Sequence, residues 1–473
     1  MSNPTSRISL GEKIGYGLGD LASNFVFHIV NVYLLFYYTS VFGIAPAVAG
    51  TLFLIGKAWD ALTDPLMGAF ADRNQSRFGK YRPFLLTMSV PFGVFGFLAF
   101  LGPDLSQNGK IAFAYITYFA LMTIYTAINV PYSALMGVMT ADPDERTSLS
   151  IFRFRGAFSA QLLIGLALIP MIHFFGRGAL EDGGDPILGW RLAMACFGAL
   201  AIILFLITFF STRERVPPQK DDQQNLTESL ILLSKNKPLV VMLCIAVLTL
   251  GYSGIRWATT HHYLALVANL SYERYFFYLD RFSVFYTAGP LAFLMGLGMT
   301  ERLITLFGKR NALLGLTVLN GIAMIAFYFV PAENYAAIFW LNIVASFIAG
   351  PTPAIVWAMY TDVADYGEWK FGKRITAQTF AAAMFFQKIG LAIGGALAGW
   401  LLSYYGFIKD TALSAQTREG ITLMFSVFPG ICAILIPFLL LFYKLTDNEV
   451  KTITANLEER RKEDAVSCNQ TEI

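Results

Sequence analysis

One apolar run of this chain carries charges that a membrane helix cannot leave unpaired. Lys57, Asp60 and Asp64 lie in the run from Ile44 to about Phe70, at i, i+3 and i+7 spacing, so one helix face presents all three. A carboxylate at the bilayer centre costs about 2.5–3.5 kcal/mol, and two on one face also repel each other. The sequence therefore requires a neutralising group, either Lys57 or a bound cation or proton. A structural salt bridge between helices and the coupling-ion site of a transporter are the two interpretations.

The composition assigns the whole chain to the membrane. Its 473 residues are 56% hydrophobic and 14% charged, whereas a soluble domain carries about 25% charged residues. Apolar runs of about 20 residues, long enough to cross a hydrocarbon core of about 30 Å, recur along the sequence. Because an open sheet cannot face lipid, we predict an all-α protein. The scattered cysteines and histidines indicate neither a disulfide framework nor a metal motif, and no cleavable signal peptide is predicted.

The apolar runs form two groups of six. A polar segment separates the groups, and a charged segment follows the last run. We therefore predict an N-terminal six-helix bundle over 1–212, a linker over 213–238, a C-terminal six-helix bundle over 239–443 and a tail over 444–473. The predicted spans are 16–41, 44–70, 84–102, 111–139, 150–175, 189–212, 239–267, 275–299, 311–331, 335–361, 376–405 and 420–443.

The loops orient the chain and relate its halves. Most lysines and arginines outside the spans fall on the side of the two termini, so both termini are predicted to be cytoplasmic. We expect a multi-pass protein of the plasma membrane (the inner membrane of a bacterium), with a substrate site near the midplane between the halves. Topology-setting charge is the alternative explanation for any single loop. The matched loop segments are Asp72-Arg73 with Phe78-Gly79-Lys80, and Glu301-Arg302 with Phe307-Gly308-Lys309.

Polar side chains recur at helical spacing inside two spans. Facing lipid, they would lack hydrogen-bond partners, at a cost of several kcal/mol. We predict that both faces line a cavity that can bind hydroxyl groups. For the lone histidine a packing role is the alternative, and for the second face it is hydrogen bonding between helices. The residues are Asn24, His28 and Asn31 in the first span, and Thr126, Asn129 and Ser133 in the fourth.

Basic residues within the spans form a further group of candidates. Arg153 and Arg155 in the fifth span point to different faces, so only one is expected to enter a cavity. Lys388 stands in the otherwise apolar eleventh span and needs an anion, either a carboxylate or the substrate. Arg256 in the seventh span is expected to pair with an acid.

No pattern in the sequence indicates an enzyme. It contains no nucleophile–base constellation, phosphate-binding loop or zinc motif. Asp60 and Asp64 lie along one helix rather than across a cleft, so a paired-carboxylate hydrolase is not expected. The neighbouring His261 and His262 receive no role. Four glycines of the eleventh span indicate close helix packing without chemistry, namely Gly390, Gly394, Gly395 and Gly399.

Five motifs follow one another along nearly the whole chain. They are Gly15-Tyr16-Gly17-Leu18-Gly19-Asp20, Trp59-Asp60-Ala61-Leu62-Thr63-Asp64-Pro65, Arg77-Phe78-Gly79-Lys80-Tyr81-Arg82-Pro83, Asn129-Val130-Pro131-Tyr132 and Asp362-Val363-Ala364-Asp365-Tyr366-Gly367-Glu368-Trp369. Together they resemble the glycoside–pentoside–hexuronide:cation symporters, relatives of the melibiose carrier in the major facilitator superfamily. The resemblance implies twelve transmembrane helices in two pseudo-symmetric six-helix bundles. It also implies cotransport of a sugar or glycoside with Na⁺, Li⁺ or H⁺.

The resemblance further implies an ion site. Asp60 and Asp64 match the cation-site carboxylates of the family and would be the metal ligands if the ion is Na⁺. Thr126 matches a neighbouring hydroxyl, and Lys388 matches a lysine near that site. Thr63 replaces an asparagine that helps some melibiose carriers to select the cation, so the choice between H⁺ and Na⁺ stays open.

The implied sugar site departs from the melibiose pattern. Asn24 and Asn129 fall where melibiose-type carriers place two sugar-binding aspartates, as in the similar glucuronide carriers. Two negative charges are lost while Arg153 and Lys388 are kept, which favours an acidic sugar such as a hexuronide over a neutral one. The expected substrate-binding set is Asn24, His28, Asn31, Asn129, Ser133 and Arg153.

Two functional hypotheses follow from the sequence. The first is a monomeric symporter that uses no cofactor and moves a sugar or glycoside with H⁺ or Na⁺ by alternating access. Its partners are the sugar and the lipid bilayer, with no nucleic acid. The second is a membrane sensor or a lipid- or drug-handling facilitator on the same scaffold. An apolar cleft would favour the second hypothesis, and the polar face of the first span argues against such a cleft.

Overall fold

The computed structural model describes residues 7–74, 76–140, 142–177, 184–216, 226–270, 274–276, 279–373, 376–457 and 459, and these are almost entirely helical. Two π-helical turns, Tyr37–Phe42 and Tyr263–Val267, continue the first and eighth helices. A short antiparallel hairpin pairs β1 (Arg274–Phe276) with β2 (Leu279–Asp280). The helices are α1 (Leu10–Phe36), α2 (Pro46–Arg73), α3 (Arg82–Leu98), α4 (Gln107–Met139), α5 (Pro143–Phe175), α6 (Pro186–Ser211), α7 (Leu226–Lys235), α8 (Lys237–His262), α9 (Arg281–Leu297), α10 (Thr300–Phe329), α11 (Tyr335–Ala349), α12 (Thr352–Phe371), α13 (Thr376–Tyr404), α14 (Ala415–Phe425) and α15 (Val427–Leu440).

The helices account for the predicted membrane spans. Within the described residues, nine helical segments are long and apolar enough to cross a membrane. The helices α2, α3 and α9 complete the set of twelve: α2 carries the charged stretch, and α3 and α9 have 17 residues each. The predicted all-α class is therefore confirmed. The predicted linker contains α7, and a further helix covers 447–457 in the predicted tail.

Two predicted spans contain a helix break. The tenth, predicted over 335–361, divides into α11 and α12 at Gly350, where a Cβ atom would overlap the carbonyl oxygen of Phe293 on α9. The twelfth, predicted over 420–443, divides into α14 and α15 at Ser426. Continuous hydropathy cannot reveal such breaks, because apolar residues continue on both sides.

Arg256 supports the second break. Its Nη1 donates to the carbonyl oxygen of Phe425 at 2.5 Å, and its guanidinium lies over the rings of Phe425 and Phe327, at 4.1 and 4.7 Å from the ring centroids. The expectation that Arg256 pairs with an acid is wrong for the described part of the chain. A helix end exposes carbonyl groups without intrahelical partners, and a guanidinium can satisfy one of them.

The eighth span starts later than predicted. The sequence predicts a helix from residue 275, but the hairpin occupies this region and α9 begins at Arg281. Asp280 caps the helix, since its Oδ1 accepts a hydrogen bond from the backbone N–H of Ser283 at 2.8 Å. A short apolar run does not separate strand from helix, and Tyr275 and Phe276 favour a strand.

The matched segments of the two halves share a left-handed glycine, which lies in a turn in the first half and at a kink inside α10 in the second. Gly79 and Gly308 both have positive φ, 106° and 75°, a conformation that favours glycine. In each segment, the N–H of the next lysine donates to an acid that follows the last helix of the same half. The repeated motif therefore ties each half together in the same way. The two contacts are Lys80 N to Glu214 Oε2 at 2.8 Å and Lys309 N to Asp447 Oδ2 at 3.1 Å.

Several contacts join the two bundles on the side where α1 ends and α2 begins, which we call the far side. His261 and His262, unassigned by the sequence, belong to this closure, and the ring of His261 packs 4.1 Å from that of Phe36. The hydrogen bonds across the interface are Thr39 Oγ1 to His262 Nε2 at 2.9 Å, Trp400 Nε1 to Thr51 Oγ1 at 3.1 Å, and Lys409 Nζ to the Val41 carbonyl oxygen at 2.7 Å.

The glycines of α13 form two rows against different helices. Gly390 and Gly394 pack on α8, whereas Gly399 packs on α2 in the other bundle. A Cβ at Gly399 would lie 2.6 Å from Cα of Gly50. The predicted close packing is therefore confirmed, and one row holds a bundle together while the other joins the two bundles.

Gly394→Ala is expected to destabilise the protein by about 1–3 kcal/mol, because the added methyl group overpacks a backbone contact. At this position a Cβ would overlap the carbonyl oxygen of Gly251. The melting temperature of the detergent-purified protein measures the effect. Gly315→Ala is the matched control, since nothing lies within 4 Å of that position on α10. Equal melting temperatures for the two variants would contradict the packing assignment.

Candidate functional site

Two carboxylates and a hydroxyl meet where α2 contacts α4. Asp60 is 1% exposed, and its Oδ1 accepts a hydrogen bond from Thr126 Oγ1 at 2.7 Å. Asp64 lies one helical turn further along α2, and its Oδ1 lies 3.0 Å from the same hydroxyl. The i, i+4 spacing of the carboxylates, closed by one residue of α4, creates an oxygen-lined site. The Asp64 side chain is 29% exposed, so it gives the site an opening.

The counter-charge of this site comes from the other bundle. Lys388 on α13 lies 3.1 Å from Asp60 Oδ2 and also forms an ion pair with Asp64. Lys57, one sequence candidate for this role, forms no salt bridge with the described residues. Its ammonium group lies over the ring of Phe27, 4.6 Å from the ring centroid. The neutralising side chain is therefore Lys388, and the ion pair crosses the interface between the bundles.

The donor set suits a small cation or a proton. Thr126 has a single hydroxyl proton but faces oxygens of both Asp60 and Asp64, so it can donate to only one of them at a time. The two carboxylates repel each other unless a positive centre lies between them. Na⁺ takes hard oxygen ligands of this kind, and a shared proton would serve equally. Lys388 Nζ supplies the positive charge in this structure.

The polar face of α1 borders the space between the bundles. Asn24, His28 and Asn31 are all partly exposed, whereas most of their neighbours on α1 are buried. Asn31 and Lys57 line a cavity of about 20 Å³ whose other walls include Gly254 and Leu391 of the opposite bundle. Asn31 at least therefore faces the bundle interface rather than lipid.

The amide groups of this face are oriented by the helix itself. Asn24 Nδ2 donates to the carbonyl oxygen of Asp20 at 2.8 Å, and Asn31 Nδ2 donates to that of Phe27 at 2.7 Å. Each side-chain oxygen is left as an acceptor for a ligand hydroxyl. His28 lies between the two asparagines on the same face.

Two residues on the polar face of α4 have different surroundings: Asn129 packs against α1, whereas Ser133 is exposed. Asn129 Oδ1 accepts from Ser23 Oγ at 2.9 Å, and its Nδ2 donates to the carbonyl oxygen of Tyr125 at 3.1 Å. Asn129 is thus held against α1. One proton of its Nδ2 and one lone pair of its Oδ1 have no partner in these two hydrogen bonds. Ser133 is exposed, and its hydroxyl lies 3.5 Å from Nη2 of Arg153.

Comparison with known proteins identifies the family. The family model described as MFS/sugar transport protein matches residues 15–447. The chain belongs to this family. It is 34% identical over 457 residues to the putative glycoside/cation symporter YagG of Escherichia coli (strain K12), with 96% of each chain covered. It is 32% identical over 471 residues to the isoprimeverose transporter of Lactiplantibacillus pentosus, with 97% of this chain and 94% of the relative covered.

A solved structure agrees with the fold. A bacterial homologue of the human lysosomal transporter Spinster, in an inward-facing and occupied conformation, has a TM-score of 0.67. It is 16% identical to this chain and covers 95% of it, with 99% of the solved chain matched. The resemblance inferred from the five motifs is confirmed, as is the major facilitator fold with its two six-helix bundles. This member of the MFS/sugar transport family is a multi-pass membrane transporter and not an enzyme.

Asp20 belongs to the first of the five motifs but received no site role from the sequence. Asp20 lies one helical turn before Asn24 and accepts from Arg153 Nε at 2.5 Å. Arg155 is exposed on another face of α5 and lies over the ring of Phe152. The two arginines therefore lie on different faces of α5, and the entry of only one of them into a cavity stays a prediction. The spacing of Asp20 from Asn24 was the available signal, since i and i+4 share a helix face.

Proposed function

We propose that this protein is a secondary active symporter that couples uptake of a sugar or glycoside to inward movement of H⁺ or Na⁺ by alternating access. One observation carries the proposal. Asp60, Asp64 and Thr126 of the first bundle form an oxygen site that Lys388 of the second bundle occupies. The isoprimeverose transporter and the glycoside/cation symporter among its relatives support the same activity.

Alternation follows from the location of the ion pair. Lys388 must move whenever the bundles move apart around α13, and the two carboxylates then require another positive charge. The coupling ion supplies this charge and displaces the lysine. Sugar binding to the neighbouring polar face stabilises the same arrangement, so each ligand raises the affinity for the other.

The sugar site is assigned to a set of polar side chains beside the ion site. The set comprises Asn24, His28 and Asn31 on α1, all partly exposed, and Arg153 on α5 as a further donor. The case for an acidic sugar such as a hexuronide requires a free basic residue. Arg153 and Lys388 are each paired with a carboxylate, so an acidic sugar would have to compete for one of them. The proposed substrate class is therefore a sugar or glycoside. Asn129 and Ser133 are the other two residues proposed to contact it.

Uptake into proteoliposomes tests the function. A panel of neutral glycosides, pentosides and hexuronides is offered with an imposed Na⁺ gradient, a proton gradient, or neither. We expect at least one sugar to accumulate about tenfold or more with one gradient, and only to equilibrate without it. Accumulation of no sugar, together with ion-independent transfer of a lipid or drug, would favour the facilitator hypothesis instead.

A further inference from the structure

We propose that Asp20 is a positioning residue of the sugar site, which holds the guanidinium of Arg153 in the orientation that binds the sugar. This inference depends on the proposed function, because it assumes that Arg153 contacts the substrate. Asp20 acts through Arg153 and does not itself contact the sugar. It is also distinct from the ion-site carboxylates, Asp60 and Asp64, which belong to another helix.

The contacts of Asp20 fix one edge of the guanidinium. Oδ2 accepts from Arg153 Nε at 2.5 Å, and Oδ1 lies 3.5 Å from Nη2. The hydroxyl oxygen of Tyr132 lies 3.2 Å from Oδ2 of Asp20, although its proton is closer to the Tyr16 carbonyl oxygen. Arginine presents its donors in a rigid planar fork, so fixing one edge determines where the other donors point. The two protons of Nη1 remain for a ligand, because Nη2 is directed at Asp20 and Ser133.

The guanidinium of Arg153 also makes cation–π contacts with two tyrosine rings. Arg153 lies 5.0 Å from the ring centroid of Tyr132 and 5.9 Å from that of Tyr16. These tyrosines also bind each other's backbone, with Tyr132 OH 2.6 Å from the Tyr16 carbonyl oxygen and Tyr16 OH 3.2 Å from the Tyr132 carbonyl oxygen. The α1–α4 contact thus stays closed without Asp20. The pair of Asp20 instead joins α1 to Arg153 on α5, and these two helices also pack against each other through Gly17 and Gly156.

The Asp20–Arg153 ion pair lies next to the residues proposed to bind the sugar. Asp20 precedes Asn24 by one turn, and its carbonyl oxygen accepts from Asn24 Nδ2. Arg153 also reaches Ser133 Oγ at 3.5 Å. The side chains of Asp20 and Arg153 are 14% and 26% exposed, so the pair borders open space. An unpaired guanidinium here would turn towards other acceptors and lose the orientation that Asp20 imposes.

A double-mutant cycle in sugar affinity tests the proposal. Asp20→Asn, Arg153→Gln and the double variant are compared in equilibrium binding of a sugar that the wild-type protein accumulates, at saturating coupling ion. We expect Asp20→Asn to weaken sugar binding at least about tenfold, with partial recovery in Asp20→Glu. The double variant is expected to bind as Arg153→Gln does, since Asp20 has no separate role. Additive losses would overturn the proposal, as would unchanged affinity in Asp20→Asn.

Ion binding measured without sugar separates the two possible roles of Asp20. If Asp20 only stabilised the fold, its substitution would weaken ion binding as well as sugar binding. We expect the ion affinity of Asp20→Asn to remain within about threefold of wild type, because the ion site lies on α2 and α4. If Asp20→Asn does not fold, the double variant removes both charges, and its sugar affinity relative to Arg153→Gln decides the question. Full sugar affinity in Arg153→Gln would reject the assumed sugar site as well as the role of Asp20. If the wild-type protein bound the sugar but showed no ion-driven uptake, the symport proposal alone would be rejected.

Discussion

Asp60→Asn is expected to abolish ion-driven sugar accumulation while sugar exchange across the membrane continues. The substitution keeps the shape of the side chain and its contact with Thr126 but removes one of the two carboxylates that hold the ion. Breaking one partner of a buried charge arrangement costs about 3–5 kcal/mol, which corresponds to a loss of ion affinity of about 100-fold or more. Counterflow and gradient-driven uptake in proteoliposomes separate the two activities.

Asp104→Asn is the matched control for this variant. Asp104 is an exposed carboxylate between α3 and α4, so its substitution also removes one negative charge but leaves the ion site intact. Full accumulation is expected in the control. If Asp60→Asn kept full ion-driven accumulation, the coupling role of this carboxylate would be excluded.

Lys388→Met is expected to tighten coupling-ion binding by about tenfold or more, because the ion no longer competes with a tethered ammonium group. The same change should slow concentrative uptake, since the ion is released less readily once its internal competitor is gone. Ion affinity is measured by ion-dependent protection against thermal unfolding, and uptake is measured in proteoliposomes.

Lys57→Met provides the comparison for Lys388→Met. Lys57 is equally a membrane lysine near the carboxylates, but its ammonium group lies over Phe27 and forms no salt bridge with the described residues. Its substitution is expected to change ion affinity by less than about threefold. Equal effects of the two variants would mean that the lysines act only through general charge and not through direct competition.

Helical periodicity accounts for much of what the sequence predicted. The face of Asn24, His28 and Asn31 and the pair Asp60 and Asp64 need only the geometry of a single helix, and each set shares one side of its helix. Asp20 lies on the first of these faces. It received no site role because the predicted polar face began at Asn24, although the same spacing extends one turn towards the N-terminus.

Contacts between helices account for what the sequence could not decide. Lys57 shares a helix with Asp60, yet Lys388 from the other bundle is the partner, because the packing of α13 on α2 determines which ammonium group reaches the carboxylates. Arg256 likewise binds the carbonyl of Phe425, and although Pro429 leaves this carbonyl without its i+4 donor, the sequence does not reveal which side chain binds it. Partners of buried charges depend on tertiary packing, which periodicity does not encode.

The matched segments of the two halves were only partly predictable from the sequence. Their repeated sequence predicted two related halves, and positive φ at Gly79 and Gly308 supports that prediction. Their acidic partners, Glu214 and Asp447, lie far along the chain and carry no motif of their own. A repeat therefore predicts that the halves are alike, but not which contacts make them so.

Sugar affinity measured with and without the coupling ion tests the central claim most directly. The purified protein is titrated with an accumulated sugar at zero and saturating Na⁺, and at two pH values. We predict that one ion raises sugar affinity at least about fivefold, that the sugar raises affinity for that ion by the same factor, and that Asp60→Asn removes both effects. Sugar affinity that is independent of Na⁺ and of pH in the wild-type protein would contradict the account.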